Sequence, residues 1–266
     1  MTAQYTVIAT SPVAEADGSV AQVIASLPVS LHPSSSAGAD LVAVDGEAGW
    51  TERAERAIRG GAGGVMVINP GAEDVTSLRE ASEAMHVPVV VDATWTYNPA
   101  VEAGRSDFSA RNDHNSLLEA RVDVPVQADM ERVLLAQLSL IRAAVDEVVS
   151  LRFVRRDRHG YDALARLSSA ARVSLTAVAT DSTPSSAYLR IIKPDNAVES
   201  VLPSPVTAIP GRVTVSGPDG ATLLTTKWET AHRTAWRRLH RLVQTGRPGT
   251  DLRGFARDVF VVQAAT

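Results

Sequence analysis

Hydrophobic positions fall into two regimes along the chain. Over the first hundred residues, short apolar runs alternate with amphipathic stretches. Tyr5–Thr10 (YTVIAT), Asp40–Asp45 (DLVAVD), Val65–Ile68 and Val87–Asp92 (VPVVVD) have the length and β-branched content of strands, and Leu27–Leu31 is a weaker run. Between them, Ser11–Ser26, Thr51–Arg59 and Glu73–Met85 show helical spacing, with Pro12 suited to a first turn and Thr51 placed to cap. Strands that are apolar throughout and separated by helices predict a parallel sheet covered on both faces.

After about Asn98 the rhythm changes. Ser106–Ser116 (SDFSARNDHNS) is polar and predicts a loop. Met130–Ala144 predicts a helix with Val133, Leu134, Leu138 and Ile141 inward. From Glu147 the chain reads as strands and turns: VVSLRFVRR, YDALARL, RVSLTAVATD, AYLRIIKP, RVTVSG and ATLLTTKW. Alternation such as Val173, Leu175, Ala177 predicts an antiparallel sheet with one covered face. Trp228–Thr245 closes as a basic amphipathic helix. The expected organisation is an α/β domain over residues 1–104 and an α+β domain with a large open antiparallel sheet over 105–266. The last helix, 228–245, is one that can pack back on the first domain.

Composition narrows the function. The chain has 266 residues, 45% hydrophobic and 21% charged, with no cysteine and a formal net charge of −4. Without cysteine there are no disulfides, thiolate metal sites or thiol nucleophiles. A mildly acidic chain has no bulk attraction for phosphate backbones, which argues against nucleic acid. The start lacks the basic and apolar regions of a leader, and no apolar run is long enough for a membrane span, so a cytoplasmic protein is expected. Lys193 and Lys227 are the sole lysines, so any mechanism needing a catalytic lysine has two candidates.

Several segments, in order, carry a resemblance. ADLVAVDGEAGWTERAERAIRGGAGGVMVINPGAEDVTSLREASEA looks like a strand, helix, strand, "EKP" motif and following helix, with Ile68-Asn69-Pro70 at the motif. VPVVVDATWTYNPAV, GYDALARLSSAARVSLTAV and PGRVTVSGPDGATLLTT follow as the next strand and two hairpins. In these features the chain resembles the Gfo/Idh/MocA family, the glucose–fructose oxidoreductase and inositol dehydrogenase-like enzymes. The resemblance implies a Rossmann-like parallel domain, here reduced, then an open antiparallel sheet that makes oligomer interfaces. It also implies NAD(P) as cofactor and a sugar or polyol as substrate.

The departures fall on the residues that the resemblance would make functional. A dinucleotide loop needs glycine after its first strand so that backbone amides can approach the pyrophosphate. Here the loop is Ala9-Thr10-Ser11-Pro12-Val13, without glycine before Gly18. The second strand ends near Leu31-His32-Pro33, without the acid that would hold ribose hydroxyls. The short spacing from first to third strand suggests a trimmed strand–helix unit. The family's lysine position is Asn69, which has no titratable proton. The family's histidine position is Ile141 if Gln137 replaces the acid, or Leu135 if Glu131 does; that register stays open. The expectation is an oxidoreductase-like protein that has lost NAD(P) binding and catalysis and acts as a partner, regulatory subunit or ligand-binding protein. The alternative is an NAD(P)-dependent sugar or polyol oxidoreductase with a divergent cofactor loop.

Other candidates are read as follows. Gly60–Gly64 (GGAGG) lies at a helix C-terminus, where the exposed partial charge is negative, so it reads as a cap and tight turn rather than a phosphate cradle. His32, His86, His114, His159, His232 and His240 show no metal-ligand spacing, and no metal is expected. Asp92, Trp95, Tyr97 and Asn98, with His114, form the cleft candidates: a carboxylate and aromatic rings suit a sugar, or the rings are packing residues. A different enzyme class would need Asp92 paired with Asp107 or Asp113. Arg233, Arg237, Arg238 and Arg241 around Trp236 read as a solvated helix face or a salt-bridged contact surface.

Overall fold

The computed structural model describes residues 4–10, 19–36 and 38–265. The chain divides into two compact units, residues 1–93 with 232–257, and residues 94–231 with 258–266.

The first unit holds strands β1 (Tyr5–Ala9), β2 (Leu31–Pro33), β3 (Leu41–Asp45), β4 (Gly64–Ile68) and β5 (Val89–Asp92). Helices α1 (Ala21–Ser26), α2 (Trp50–Arg59) and α3 (Thr76–Met85) connect them. All pairings are parallel, in the order β2-β1-β3-β4-β5. Every residue of β3 and β4 is buried, which is why these runs are apolar without alternation. Among the described residues, only β2 lies on its side of β1, where the longer doubly wound order has two strands. The switch in winding direction falls between β1 and β3.

Two helices from the end of the chain complete this unit. Helix α6 (Ala231–Thr245) buries Ala235, Trp236 and Leu239, and the Trp236 indole donates to the Ser19 carbonyl at 2.8 Å. It crosses β4 at Gly64, where a Cβ would stand 2.7 Å from Val243 Cγ2 and 3.0 Å from Leu239 Cδ1. Gly60 caps α2 and Gly61 takes a φ of +95°, so the glycine cluster makes the turn and the close approach. Helix α7 (Asp251–Gln263) begins in the first unit with Asp251, whose carboxylate accepts from the Val91 amide at 3.3 Å and from Arg238 at 2.7 Å. β5 is a sheet edge, and this carboxylate satisfies an amide that the edge would leave unpaired.

The second unit holds an eight-stranded sheet in the order β13-β12-β11-β10-β6-β9-β8-β7. Its strands are β6 (Leu117–Val124), β7 (Val148–Asp157), β8 (Gly160–Leu167), β9 (Arg172–Ala179), β10 (Ser186–Ile192), β11 (Ala197–Leu202), β12 (Arg212–Gly217) and β13 (Gly220–Leu223). Two antiparallel meanders, β7 to β9 and β10 to β13, meet on β6, which pairs antiparallel with β10 and parallel with β9. Helices α4 (Pro99–Arg111) and α5 (Met130–Ala144) cover one face. The other face carries the polar half of each alternation and some apolar side chains, among them Leu117 and Leu164.

Parts of the sequence reading are corrected. The polar stretch from Ser106 continues α4 as far as Arg111, because Phe108 is fully buried and anchors the last turns. β6 and β11 were not among the expected strands, although both alternate with period two. The second strand is Leu31–Pro33, with 27–30 forming a turn. Of the helix expected over Ser11–Ser26, residues 11–18 lie outside the described residues.

Candidate functional site

In open parallel sheets, ligands meet the carboxyl ends of the strands. In the first unit those ends present Thr10, Asp45, Asn69 and Asp92.

Asp45 ends β3 and is buried. Arg53, on the second turn of α2, turns back to it: one Nη2 reaches Asp45 Oδ1 at 2.8 Å and the Glu47 carbonyl at 2.7 Å, and Nη1 reaches the Ala48 carbonyl at 2.8 Å. Gly46 then runs against the β4 loop so closely that a Cβ would lie 2.3 Å from Pro70 Cα and 2.4 Å from the Asn69 carbonyl. Only glycine fits there, and the Gly71 amide closes the contact onto Gly46 O at 3.0 Å. The α2 N-terminus is the natural seat of an anion, since its first amides lack helical partners. Glu73 occupies it: its carboxylate accepts from the Gly49 amide at 2.5 Å, the Thr51 amide at 3.1 Å and the Thr51 hydroxyl at 2.8 Å.

Asn69 follows β4 with a φ of +45°, and its amide donates to the Asp92 carbonyl at 2.9 Å. Asp92 ends β5, and its Oδ2 lies 2.7 Å from His232 Nδ1 on the first turn of α6. Both side chains are buried, at 1% and 6% exposure. A carboxylate held this way fixes the orientation of the ring and favours a proton on Nδ1. Sequence reasoning chose Asp92 and missed His232, which lies 140 residues away. The available signal was its place on the stripe His232, Trp236, Leu239 of a helix whose other face is arginine-rich.

The remaining candidates are placed differently. Thr10 ends β1 and is exposed, its amide on the Ala43 carbonyl at 2.9 Å; Ser11 and Pro12 lie outside the described residues. Trp95, Tyr97, Asn98 and His114 belong to the second unit. Trp95 is buried and Tyr97 half-buried. Asn98 is the N-cap of α4, its Oδ1 accepting from the Ala100 amide at 3.0 Å ahead of Pro99 in the first turn. His114 is exposed beyond the far end of that helix, about 20 Å along its axis from Asn98 at 1.5 Å per residue. The structure therefore does not bring His114 to Asn98.

Asp107 is paired with Arg111 at 3.0 Å, and Asp113 with Lys193 at 2.5 Å. The Lys193 ammonium, with the Asn115 amide and Ser116, holds the Asp113 carboxyl below its usual range. On α5, Leu135, Gln137 and Ile141 are fully buried. Gln137 is engaged at both ends of its amide: Tyr161 Oη donates to Oε1 at 2.7 Å, and Nε2 donates to the Ala120 carbonyl at 2.8 Å. Burial pushes the Tyr161 phenol far up, so it stays a neutral donor. Arg238 is paired with Asp251, while Arg237 and Arg241 are exposed. Among the described residues no group of acids and histidines is arranged to hold a metal ion, and no helix is long and apolar enough to cross a membrane.

The two-sheet architecture is the one found in Gfo/Idh/MocA-type NAD(P)-dependent oxidoreductases, as the resemblance implied. Among solved structures, the chain is similar to UDP-N-acetylglucosamine 3-dehydrogenase GnnA from Acidithiobacillus ferrooxidans, with a TM-score of 0.74 and 14% identity over 99% of this chain and 97% of that one. It is similar also to KijD10, a 3-ketoreductase from Actinomadura kijaniata solved with NADP and TDP-benzene, with a TM-score of 0.68 and 14% identity over 98% and 95% of the two chains. An oxidoreductase from Thermotoga maritima aligns with a TM-score of 0.73 and 10% identity over 98% and 95%. At such identities the likeness is one of fold. No protein-family model matches the sequence, and no curated protein matches it.

Proposed function

We propose that this chain is an oxidoreductase-type scaffold whose hydride-transfer machinery has been dismantled, and that it serves as a partner or regulatory subunit. The observation that carries this reading is the state of the carboxyl edge of the parallel sheet. Asp45 is engaged by Arg53, the α2 amides by Glu73, and Asp92 by His232. Among the described residues, these polar groups at that edge already have partners within the chain.

NAD(P) does not fit the residues present. The first strand leads into a loop without glycine before Gly18, so side chains and Pro12 stand where bare amides would have to approach the pyrophosphate. Asn69 supplies no ammonium where the resembled enzymes use lysine. On α5, both residues offered for the position of their base, Leu135 and Ile141, are apolar and buried, and Gln137, offered for the acid beside it, is bonded to the sheet. What remains intact is the eight-stranded sheet, and its open face is the surface on which a like or unlike partner subunit would sit.

The second reading is an NAD(P)-dependent oxidoreductase acting on a sugar or polyol. The fold favours it, through neighbours such as KijD10, solved with NADP. Titration with NADH and with NADPH, followed by nucleotide fluorescence and thermal shift, separates the two. The first reading expects no saturable response up to millimolar nucleotide. Saturable binding near micromolar concentration overturns it and supports the second.

A further inference from the structure

The eight-stranded sheet ends in two very different edges. At one, β7 has register shifts at Val148/Ser150 and Phe153/Arg155 and carries Arg152, Arg155 and Arg156. Bulges and charges are the devices by which an edge avoids pairing with another chain. At the other edge, Gly220–Thr226 (GATLLTT) contains no charged residue, and all of β13 is exposed.

The extended backbone continues past β13. The Leu224 amide donates to the Val213 carbonyl at 2.8 Å, and the Thr226 hydroxyl to the Gly211 carbonyl at 2.6 Å. The register Thr214↔Leu223 makes Leu224 and Val213 a hydrogen-bonded pair, and such pairs alternate along an antiparallel ladder. The amides and carbonyls of Ala221, Leu223 and Thr225 therefore point away from β12, toward the open edge. Apolar side chains flank this row: Leu223 is 63% exposed, and Ile209 and Trp228, just beyond the Gly211–Thr226 contact, are 56% and 77% exposed.

We propose that this edge pairs antiparallel with the same edge of a second copy of the chain, joining two sheets into one continuous sheet. With the two-fold axis at Leu223, that residue faces its own symmetry mate, and Ala221 faces Thr225 of the second copy. Every cross-strand pair is then uncharged, so self-pairing brings no like charges together. The same operation on β7 would gather its arginines. A charged peptide finds no complementary charge on this strand, which favours the identical strand as occupant. The contact consists of backbone hydrogen bonds at an edge and is independent of any subunit on the open face.

Hydrogen exchange read by NMR or by fragment mass, with sedimentation on the full chain, tests the pairing. The wild type should show protection of the Ala221, Leu223 and Thr225 amides that rises with protein concentration. Leu223→Lys sets two ammonium groups opposite each other, and Leu223→Pro removes only an outward N–H and spares the β12 ladder. Both should abolish that protection and halve the sedimenting mass, with Thr222 and Leu224 still protected. Rapid exchange of the outward amides at every concentration overturns the proposal. So does protection independent of concentration, or a mass unchanged in both variants.

Discussion

Glu73 is the residue that decides what the α2 terminus can do. Its carboxylate takes the amides that an incoming anion would need and fixes the entry of the helix. Glu73→Ala should destabilise the fold by about 1 kcal/mol, the usual value of a helix cap, measured by urea denaturation. The Asp92–His232 pair is more costly to break, because either member alone is left buried and uncompensated. Asp92→Ala or His232→Ala should each cost about 3 kcal/mol. The double variant should cost clearly less than the sum, and additive losses would show that the two do not act as a pair. Asp146 governs an acid limb. Burial acts to raise its pKa, but bonds from Ser168, the Glu147 and Ser169 amides and Asn112 outweigh it and leave the pKa lowered. Its stabilising contribution is therefore complete above the unfolded carboxylate value, about 4, and is lost as the pH falls through the lower folded value. Thermal midpoints from pH 7 down to about 3 should fall less steeply in Asp146→Asn than in the wild type.

At the scale of elements, the crossing of α6 over β4 depends on a missing side chain. Gly64→Ala would place a methyl 2.7 Å from Val243 Cγ2 and 3.1 Å from Leu41 Cδ2. A loss of about 1–3 kcal/mol is expected from such overpacking, and Val243→Ala in the same chain should restore part of it. A thermal midpoint equal to wild type in Gly64→Ala would mean that α6 sits farther from the sheet. The parallel strands were legible because burial on both faces demands unbroken apolar runs. The antiparallel ones were legible because one covered face imposes a period of two. β6 has that same period, with Leu118, Ala120, Val122 and Val124 inward. It escaped the reading because it follows a polar stretch that α4 absorbs through Phe108, a burial that no local pattern announces.

For the whole molecule, the two compact units follow from two incompatible ways of burying strands, one between helices and one under them. Among the described residues, the helices of the second unit cover one face of its sheet, and β13 at one edge is exposed. The partner reading and the edge pairing are separable by experiment, since NAD(P) titration does not depend on the β13 edge and the Leu223 variants do not touch the parallel sheet.

The sequence by itself determined the architecture, because hydrophobic periodicity encodes which face of each element is buried. It also determined what composition leaves out: there is no cysteine, lysine stands only at 193 and 227, and no glycine falls between Ala9 and Gly18. What only the tertiary structure decided is how the remaining polar groups are engaged. Arg53 on Asp45, Glu73 on the α2 amides and His232 on Asp92 join residues that are 8, 22–24 and 140 positions apart. Side-chain hydrogen bonds depend on distances of a few ångströms, and those are set by packing, not by spacing along the chain.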